Sequence, residues 1–223
     1  EVKKELVERG IIHPKHKEVA ENIKEYHNPY GEANKQQLAE GIPSKAEILY
    51  YVGCQRIWNA REIIANKTAE ILKLAGVEFC MLPDEWCCGN PLIATGQLKA
   101  AEEVVKHNVE AIEELGVKTV IFNCPTCYIR FKNDYPKLLG KELPFEVIYR
   151  AEYFEKLIDE KKLRLTKEVH EKVTYHDPCS LGRVSKIYES PRAALRSISG
   201  LELVEMPRNR ECSWCRGSGG GVP

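Results

Sequence analysis

The chain has 223 residues, enough for one large domain or two small ones, and its 43% hydrophobic content can fill a sizeable core. Lys+Arg and Asp+Glu balance at 33 each, so no net field recruits nucleic acid or an anionic membrane. No apolar run approaches the roughly 18 residues of a spanning helix, and the opening Glu-Val-Lys-Lys-Glu-Leu-Val-Glu lacks the apolar centre of a signal peptide. A soluble, cytoplasmic protein with no nucleic-acid partner and no direct membrane span is expected.

Residues 1–45 are polar and helical in period, with Val2, Leu6 and Val7, then Val19, Ile23 and Tyr26, broken near Pro14 and at Asn28-Pro29. They read as a helical arm or linker with little chemistry, and His13, His16 and His27 as plain surface histidines. From Ala46 strands and helices alternate. Glu47 to Val52 is a short apolar run suited to a buried parallel strand, ending in Gly53-Cys54. A helix follows with Ile57, Ile64, Thr68, Ile71 and Leu72 on one face and Gly76 as its cap. Val77 to Leu82 reads as a second strand leading into Cys87-Cys88. The next helix, from Gly96, turns Leu98, Ala101, Val105, Ile112 and Leu115 inward. Lys118 to Phe122 is a third strand that delivers Cys124-Pro-Thr-Cys127, and Pro144 to Tyr149 a fourth, followed by an amphipathic helix with Tyr153, Phe154, Leu157 and Ile158.

The charged stretch from Asp159 to Lys172 reads as a surface link, after which the pattern restarts. Val173 to His176 is a strand before Asp177-Pro178-Cys179, a helix opens at Pro191, and Leu201 to Met206 is a strand before Cys212-Ser-Trp-Cys215. The expected fold is therefore α/β, two similar small parallel-sheet (Rossmann-like) halves behind the arm, with units at 46–160 and 161–223 and the second incomplete.

Nine cysteines, an odd number with CC and CxxC groupings, read better as metal ligands than as a disulfide framework. Cys80 alone reads as a buried structural thiol. Cys54, Cys87, Cys88, Cys124 and Cys127 each follow the C-terminal end of a predicted strand, and in an open parallel sheet those ends share one edge where ligands collect. Adjacent thiolates such as Cys87 and Cys88 suit an iron-sulfur cluster. Zinc takes four ligands, so five cysteines overfill it, although a zinc site or a four-thiolate cubane on four of the five is the competing reading.

These motifs, with His176-Asp-Pro-Cys179-Ser-Leu-Gly-Arg183 and Cys215-Arg216-Gly-Ser-Gly-Gly-Gly221, resemble the cysteine-rich CCG domain pair. That family covers heterodisulfide reductase catalytic subunits and iron-sulfur subunits of sulfite-reductase-associated, lactate, glycolate and glycerol-3-phosphate oxidising complexes. The resemblance implies one non-cubane [4Fe-4S] cluster on Cys54, Cys87, Cys88, Cys124 and Cys127, with Cys87 and Cys88 at the catalytic centre. It also implies electron exchange with a disulfide or sulfur substrate, and partner redox subunits: a flavoprotein, a ferredoxin-type subunit or a membrane quinone module that would bring the protein to a membrane. The rival readings are a pure electron relay for a hydroxy-acid dehydrogenase and a zinc-stabilised scaffold or sulfur carrier.

Three departures bear on the second half. Arg216 stands where the second cysteine of a CC pair is usual, Ser180 where His is frequent, and no CxxCxxC run precedes Glu1. A second five-cysteine site cannot form as written. Cys179, Cys212 and Cys215 read as a vestigial repeat, as a partial metal site with His176, or, for Cys179 and Cys215, as redox thiols facing the cluster. Arg183 and Arg216 are candidates to hold a substrate carboxylate or phosphonate-like group, with surface salt bridges as the alternative. Trp86 and Trp214 read as core aromatics ahead of shields that keep water from the site. A start without Met and a Gly-rich end fit a processed piece of something longer.

Overall fold

The computed structural model describes residues 2–32, 41–54, 59–215 and 217, with the side chains of 59–62 excepted. Its centre is a parallel sheet of β1 (Ile48–Tyr51), β2 (Thr119–Phe122) and β3 (Glu146–Tyr149), with β2 in the middle. Tyr51 pairs with Phe122 and Phe122 with Tyr149, so the three strands end level with one another. Both faces of the sheet are covered, and the side-chain alternation of each strand feeds two cores. Leu49, Tyr51, Val120 and Phe122 pack on one side with Val105, Val109 and Ile112. Tyr50, Val52 and Ile121 pack on the other with Ala65, Ala69, Leu72, Tyr153 and Leu157.

The first of these helical layers is α5 (Leu98–Glu114), with the short α4 (Asn90–Thr95) and α7 (Tyr135–Leu139) packed against it, and the second is α3 (Asn59–Leu74) with α8 (Arg150–Asp159). The α3 face differs from expectation. Ile64 is 40% exposed, and Ala65, Thr68, Ala69 and Leu72 line the sheet, because small residues let the helix approach it closely. Ile57 lies outside the described residues. The segment 77–82 alternates as a strand should, Phe79 and Met81 to one core and Cys80 and Leu82 to the other. It nevertheless pairs with β1 only at Cys80, where Tyr50 N donates to Cys80 O and Cys80 N to Ile48 O, both at 2.9 Å. Pro83 follows at once and has no N–H with which to extend the ladder.

The N-terminal arm is an integral part of the fold. After α1 (Val2–Glu8), α2 (Pro14–Tyr26) buries Ile23 against Cys87, Leu92, Ala101 and Val104, so the helical arm covers the vicinal cysteines. Residues 33–40 of that segment lie outside the described residues. Among the described residues no helix is long and apolar enough to cross a membrane.

The second parallel sheet is smaller than expected. β4 (Lys172–Val173) and β5 (Glu202–Leu203) have two residues each, and α9 (Glu189–Arg196) begins before Pro191. What holds this half is charge. Arg192 is fully buried and grips Asp177 through two bonds of 2.7 and 2.8 Å and Glu205 through two of 2.6 and 2.9 Å. Asp177 also accepts the Arg210 N–H at 2.6 Å. Burial pushes the Asp177 carboxyl up, but the Arg192 guanidinium and the Arg210 amide outweigh it and hold it below its ordinary value. Hydrogen bonding to Arg192 likewise holds Glu205 down.

Two outcomes follow for stability. Arg192→Met leaves Asp177 buried without its counter-charge, with only the Arg210 amide to bond it, and is expected to cost about 3–5 kcal/mol in urea unfolding; a loss below about 1 kcal/mol would show that the pair is dispensable. Because both carboxyls titrate lower folded than unfolded, their contribution is complete at neutral pH and disappears as the pH falls below about 4. The acid limb of the pH–stability curve should therefore flatten in Arg192→Met.

Candidate functional site

The level strand ends set the geometry. Gly53-Cys54 leaves β1, Cys87-Cys88 follows the segment beside it, and Cys124 caps α6 (Pro125–Ile129), which carries Cys127. Their thiols form an unbroken chain of contacts, Cys54 to Cys87, Cys87 to Cys88, Cys88 to Cys127 and Cys127 to Cys124. Cys87, Cys88, Cys124 and Cys127 are buried and Cys54 is half-buried. All five thiols singled out by spacing are thus brought together. Cys80 stays apart, its thiol turned to the Ala46 carbonyl at 3.8 Å, as a core residue.

A dense polar frame fixes the backbone around these sulfurs. The carbonyls of residues 86, 87 and 88 accept in succession from Tyr51 Oη at 2.5 Å, Asn108 Nδ2 at 3.1 Å and Tyr135 Oη at 3.3 Å. The Cys87 N–H donates to His27 O at 2.8 Å. Buried Glu85 accepts from the amides of Val52 at 2.9 Å and Gly53 at 2.5 Å, pinning the turn before Cys54. Gly53 itself has φ +79°, and a Cβ there would stand 3.1 Å from Cys127 Sγ. Glycine takes this left-handed bend without strain and spares Cys127 Sγ a contact tighter than usual.

The thiols impose opposite demands on one another. Hydrogen bonding to Cys54 and Cys88, with burial, holds Cys87 well above an ordinary thiol. Cys88 is held well below, accepting from Cys127 and Cys87 and from the Asn90 amide, with the Arg130 cation nearby. Cys124 falls to about 7, chiefly through Cys127. Arg130 is itself oriented by Asn90 Oδ1 at 2.9 Å and Asp134 at 2.8 Å, where the helix after Cys127 widens into a π turn over Arg130–Asp134. Gathering the five as thiolates, four of them buried, requires cationic charge among them.

Several contributors escape sequence reasoning. Asn108 leaves a signal, a polar residue on an apolar helix face between Val104 and Ile112. Glu85, Tyr51 and Tyr135 leave none beyond nearness to cysteines. His27 departs from its reading as a plain surface residue: Trp86 is sandwiched between the rings of His27 at 3.7 Å and His107 at 3.6 Å, which makes a three-ring wall beside Cys87.

The second group of cysteines is arranged differently. His176 Nε2 meets Trp214 O at 2.8 Å, Ser213 Oγ donates to Asp177 O at 3.2 Å, and Arg183 Nη1 donates to Ser213 O at 3.1 Å. The 176–183 and 212–215 segments therefore lie side by side, with Cys179, Cys212 and Cys215 exposed. Among the described residues no three Cys, His, Asp or Glu side chains surround a common point as ligands of one ion would, and this holds for the five thiols of the first half, which lie in a chain, as well as for Cys179, Cys212 and Cys215. Trp214 is 70% exposed beside the Arg208 guanidinium, not a core aromatic. Arg216 and the glycines at 219–221 lie outside the described residues. A π turn at Ser180–Val184 packs on α6, and its Leu181 joins the core that contains Cys88, Cys124 and Cys127.

The cysteine-rich (CCG) domain matches residues 48–132 and 173–223, and the chain belongs to that family. Over 99% of its length it is 41% identical to a subunit of the dihydromethanophenazine:CoB--CoM heterodisulfide reductase of Methanosarcina barkeri, covering 56% of that protein. It is 44% identical over 90% of its length to the same subunit of Methanosarcina acetivorans, covering 51%. To the EtfAB:quinone oxidoreductase of Syntrophomonas wolfei it is 32% identical over 90%, covering 30%. The chain thus spans about half the length of the heterodisulfide reductase subunits it matches.

Gly53→Ala is expected to lower the unfolding midpoint more than Gly76→Ala. Both glycines have left-handed φ, but an added Cβ would meet a sulfur at Gly53, 3.1 Å away, and open space at Gly76. Equal losses in thermal unfolding would mean that backbone conformation alone demands glycine at position 53.

Proposed function

We propose that the chain is the cysteine-rich part of an iron-sulfur oxidoreductase subunit of the heterodisulfide reductase type. In this reading Cys54, Cys87, Cys88, Cys124 and Cys127 hold a single non-cubane [4Fe-4S] cluster. The observation that carries it is the contact chain of five thiols. A thiol chain spread along a sheet edge suits several irons better than the tetrahedral nest of one zinc ion. The space kept by Gly53 beside Cys127 agrees with this. The names of the heterodisulfide reductase relatives support the redox class.

Such a cluster, when bound, supplies single electrons to a disulfide that needs two. The chain's own residues do the rest. Cys87 and Cys88 present adjacent thiolates at the centre of the site and are the pair we assign to catalysis. Tyr51, Asn108 and Tyr135 keep their backbone from shifting as charge changes, and Trp86 with its flanking histidines keeps water from Cys87. Arg130 offsets negative charge near Cys88.

Residues 46–160 and 161–223 are, in this reading, two versions of one Rossmann-like cysteine-rich unit. The second is reduced to a cover, with the Asp177 and Arg192 pair standing where sulfur organises the first. Electrons pass to or from a partner flavoprotein, ferredoxin-type subunit or quinone module, a reading that the name of the EtfAB:quinone oxidoreductase relative favours. The chain works on the cytoplasmic side, with any membrane attachment supplied by partners.

Anaerobic purification should yield brown protein with about four irons and matching acid-labile sulfide per chain. Cys88→Ala should lose or convert the cluster and alter its EPR signal, whereas unchanged iron and EPR would remove Cys88 from the ligand set. Colourless protein with stoichiometric zinc would favour the scaffold. Reduction of a disulfide with reduced viologen distinguishes catalysis from a pure relay.

A further inference from the structure

Arg150 opens α8 just past the end of β3, on the sheet edge that carries the thiols. Its Nη1 donates to Asn123 Oδ1 at 2.7 Å and to Thr68 Oγ1 at 3.2 Å, both neutral acceptors. The residue is half-buried, yet among the described residues no carboxylate pairs with its guanidinium. A cation drawn partly out of water is costly without an anion to compensate it. Two arginines of the second half are by contrast engaged, Arg192 by Asp177 and Glu205 and Arg183 by the Ser213 carbonyl.

Asn123 adds an independent observation. It directly precedes Cys124, is 3% exposed, and its Nδ2 has no hydrogen-bond partner among the described residues. A buried amide with its oxygen on Arg150 and its N–H group unmet calls for an acceptor. Tyr149 links this corner to the sulfurs. Burial raises its hydroxyl, which hydrogen-bonds with Arg150 and lies in the field of Cys124. From the second half, Tyr175 lies in the field of both Tyr149 and Arg150. The corner thus holds one guanidinium bonded to neutral side chains and one unmet buried amide, next to Cys124, while the nearby Glu152 carboxylate is taken by the Tyr149 amide at 3.2 Å.

The geometry points to Arg150 and Asn123 as the subsite that takes an oxyanionic group, a carboxylate in the simplest case, carried by the disulfide or thiol handled at the neighbouring cysteines. The guanidinium supplies charge-assisted bonds and the Asn123 amide a further donor. This subsite rests on the reading of the sulfur centre as a disulfide-handling site, and it specifies which disulfides enter.

The test compares binding of dithiodipropionate, a dianion, with neutral hydroxyethyl disulfide, by calorimetry on the anaerobically purified, iron-loaded chain. The dianion should bind about tenfold or more tightly, as one charged hydrogen-bonded contact provides. Arg150→Gln should bring the two ligands level, with iron content and unfolding midpoint unchanged, and Arg150→Lys should keep part of the preference. Asn123→Asp, which sets a negative charge in the subsite, should weaken the dianion and spare the neutral ligand. Equal affinities in the wild type, or an undiminished preference in Arg150→Gln, would overturn the subsite. If the dianion binds with the predicted preference but viologen-reduced protein never reduces a disulfide, the subsite stands and the redox reading fails. Reduction of both disulfides without preference has the opposite meaning.

Discussion

The parallel pairing of β1 with β2 is the interaction on which the site depends. Because Tyr51 lies level with Phe122, the chain leaves both strands at one height, and Gly53-Cys54 and Cys124 emerge side by side. The single bridge at Cys80 brings the following loop, with Cys87 and Cys88, to the same edge. Sulfurs more than thirty residues apart in sequence thus become neighbours. A slip of one residue in this register would turn Leu49 and Tyr51 into the opposite core and separate the cysteine loops.

Holding five sulfurs in a buried place requires a rigid surround, and the fold supplies it with polar groups taken from the core. Three consecutive carbonyls are each tied by a buried Tyr or Asn, and a buried carboxylate clasps the two amides before Cys54. The second half solves a similar problem with charge. Asp177, in the Asp-Pro-Cys motif, joins α9, the Arg210 amide and the Ser213 hydroxyl, so the loop of Cys212 and Cys215 is fastened through an ion pair. Loss of that pair would free the segment whose Leu181 closes the core beside Cys124.

The sequence carried the cysteines, the strands at 48–51, 119–122 and 146–149, and the α/β class, since each rests on local patterns: CC and CxxC spacing, short apolar runs, and glycine at helix ends. It misled where packing decides. Ile64 is apolar yet faces outward while Ala65 and Ala69 approach the sheet, and the 77–82 run forms only one bridge because Pro83 ends it. Nothing local in the sequence reports that Arg192 is fully buried against Asp177 and Glu205. Asn108 was visible as a polar residue on an apolar face, but which carbonyl it serves is a tertiary fact. His27 and Ile23 belong to the site only because α2 folds back over Cys87.

Anomalous diffraction at the iron edge, from crystals grown without oxygen, addresses the central claim most directly. The account predicts iron density bonded to all five sulfurs of Cys54, Cys87, Cys88, Cys124 and Cys127 in one assembly. Iron bound by only four of them, or a metal bound with Cys54 or Cys124 turned away, would contradict it.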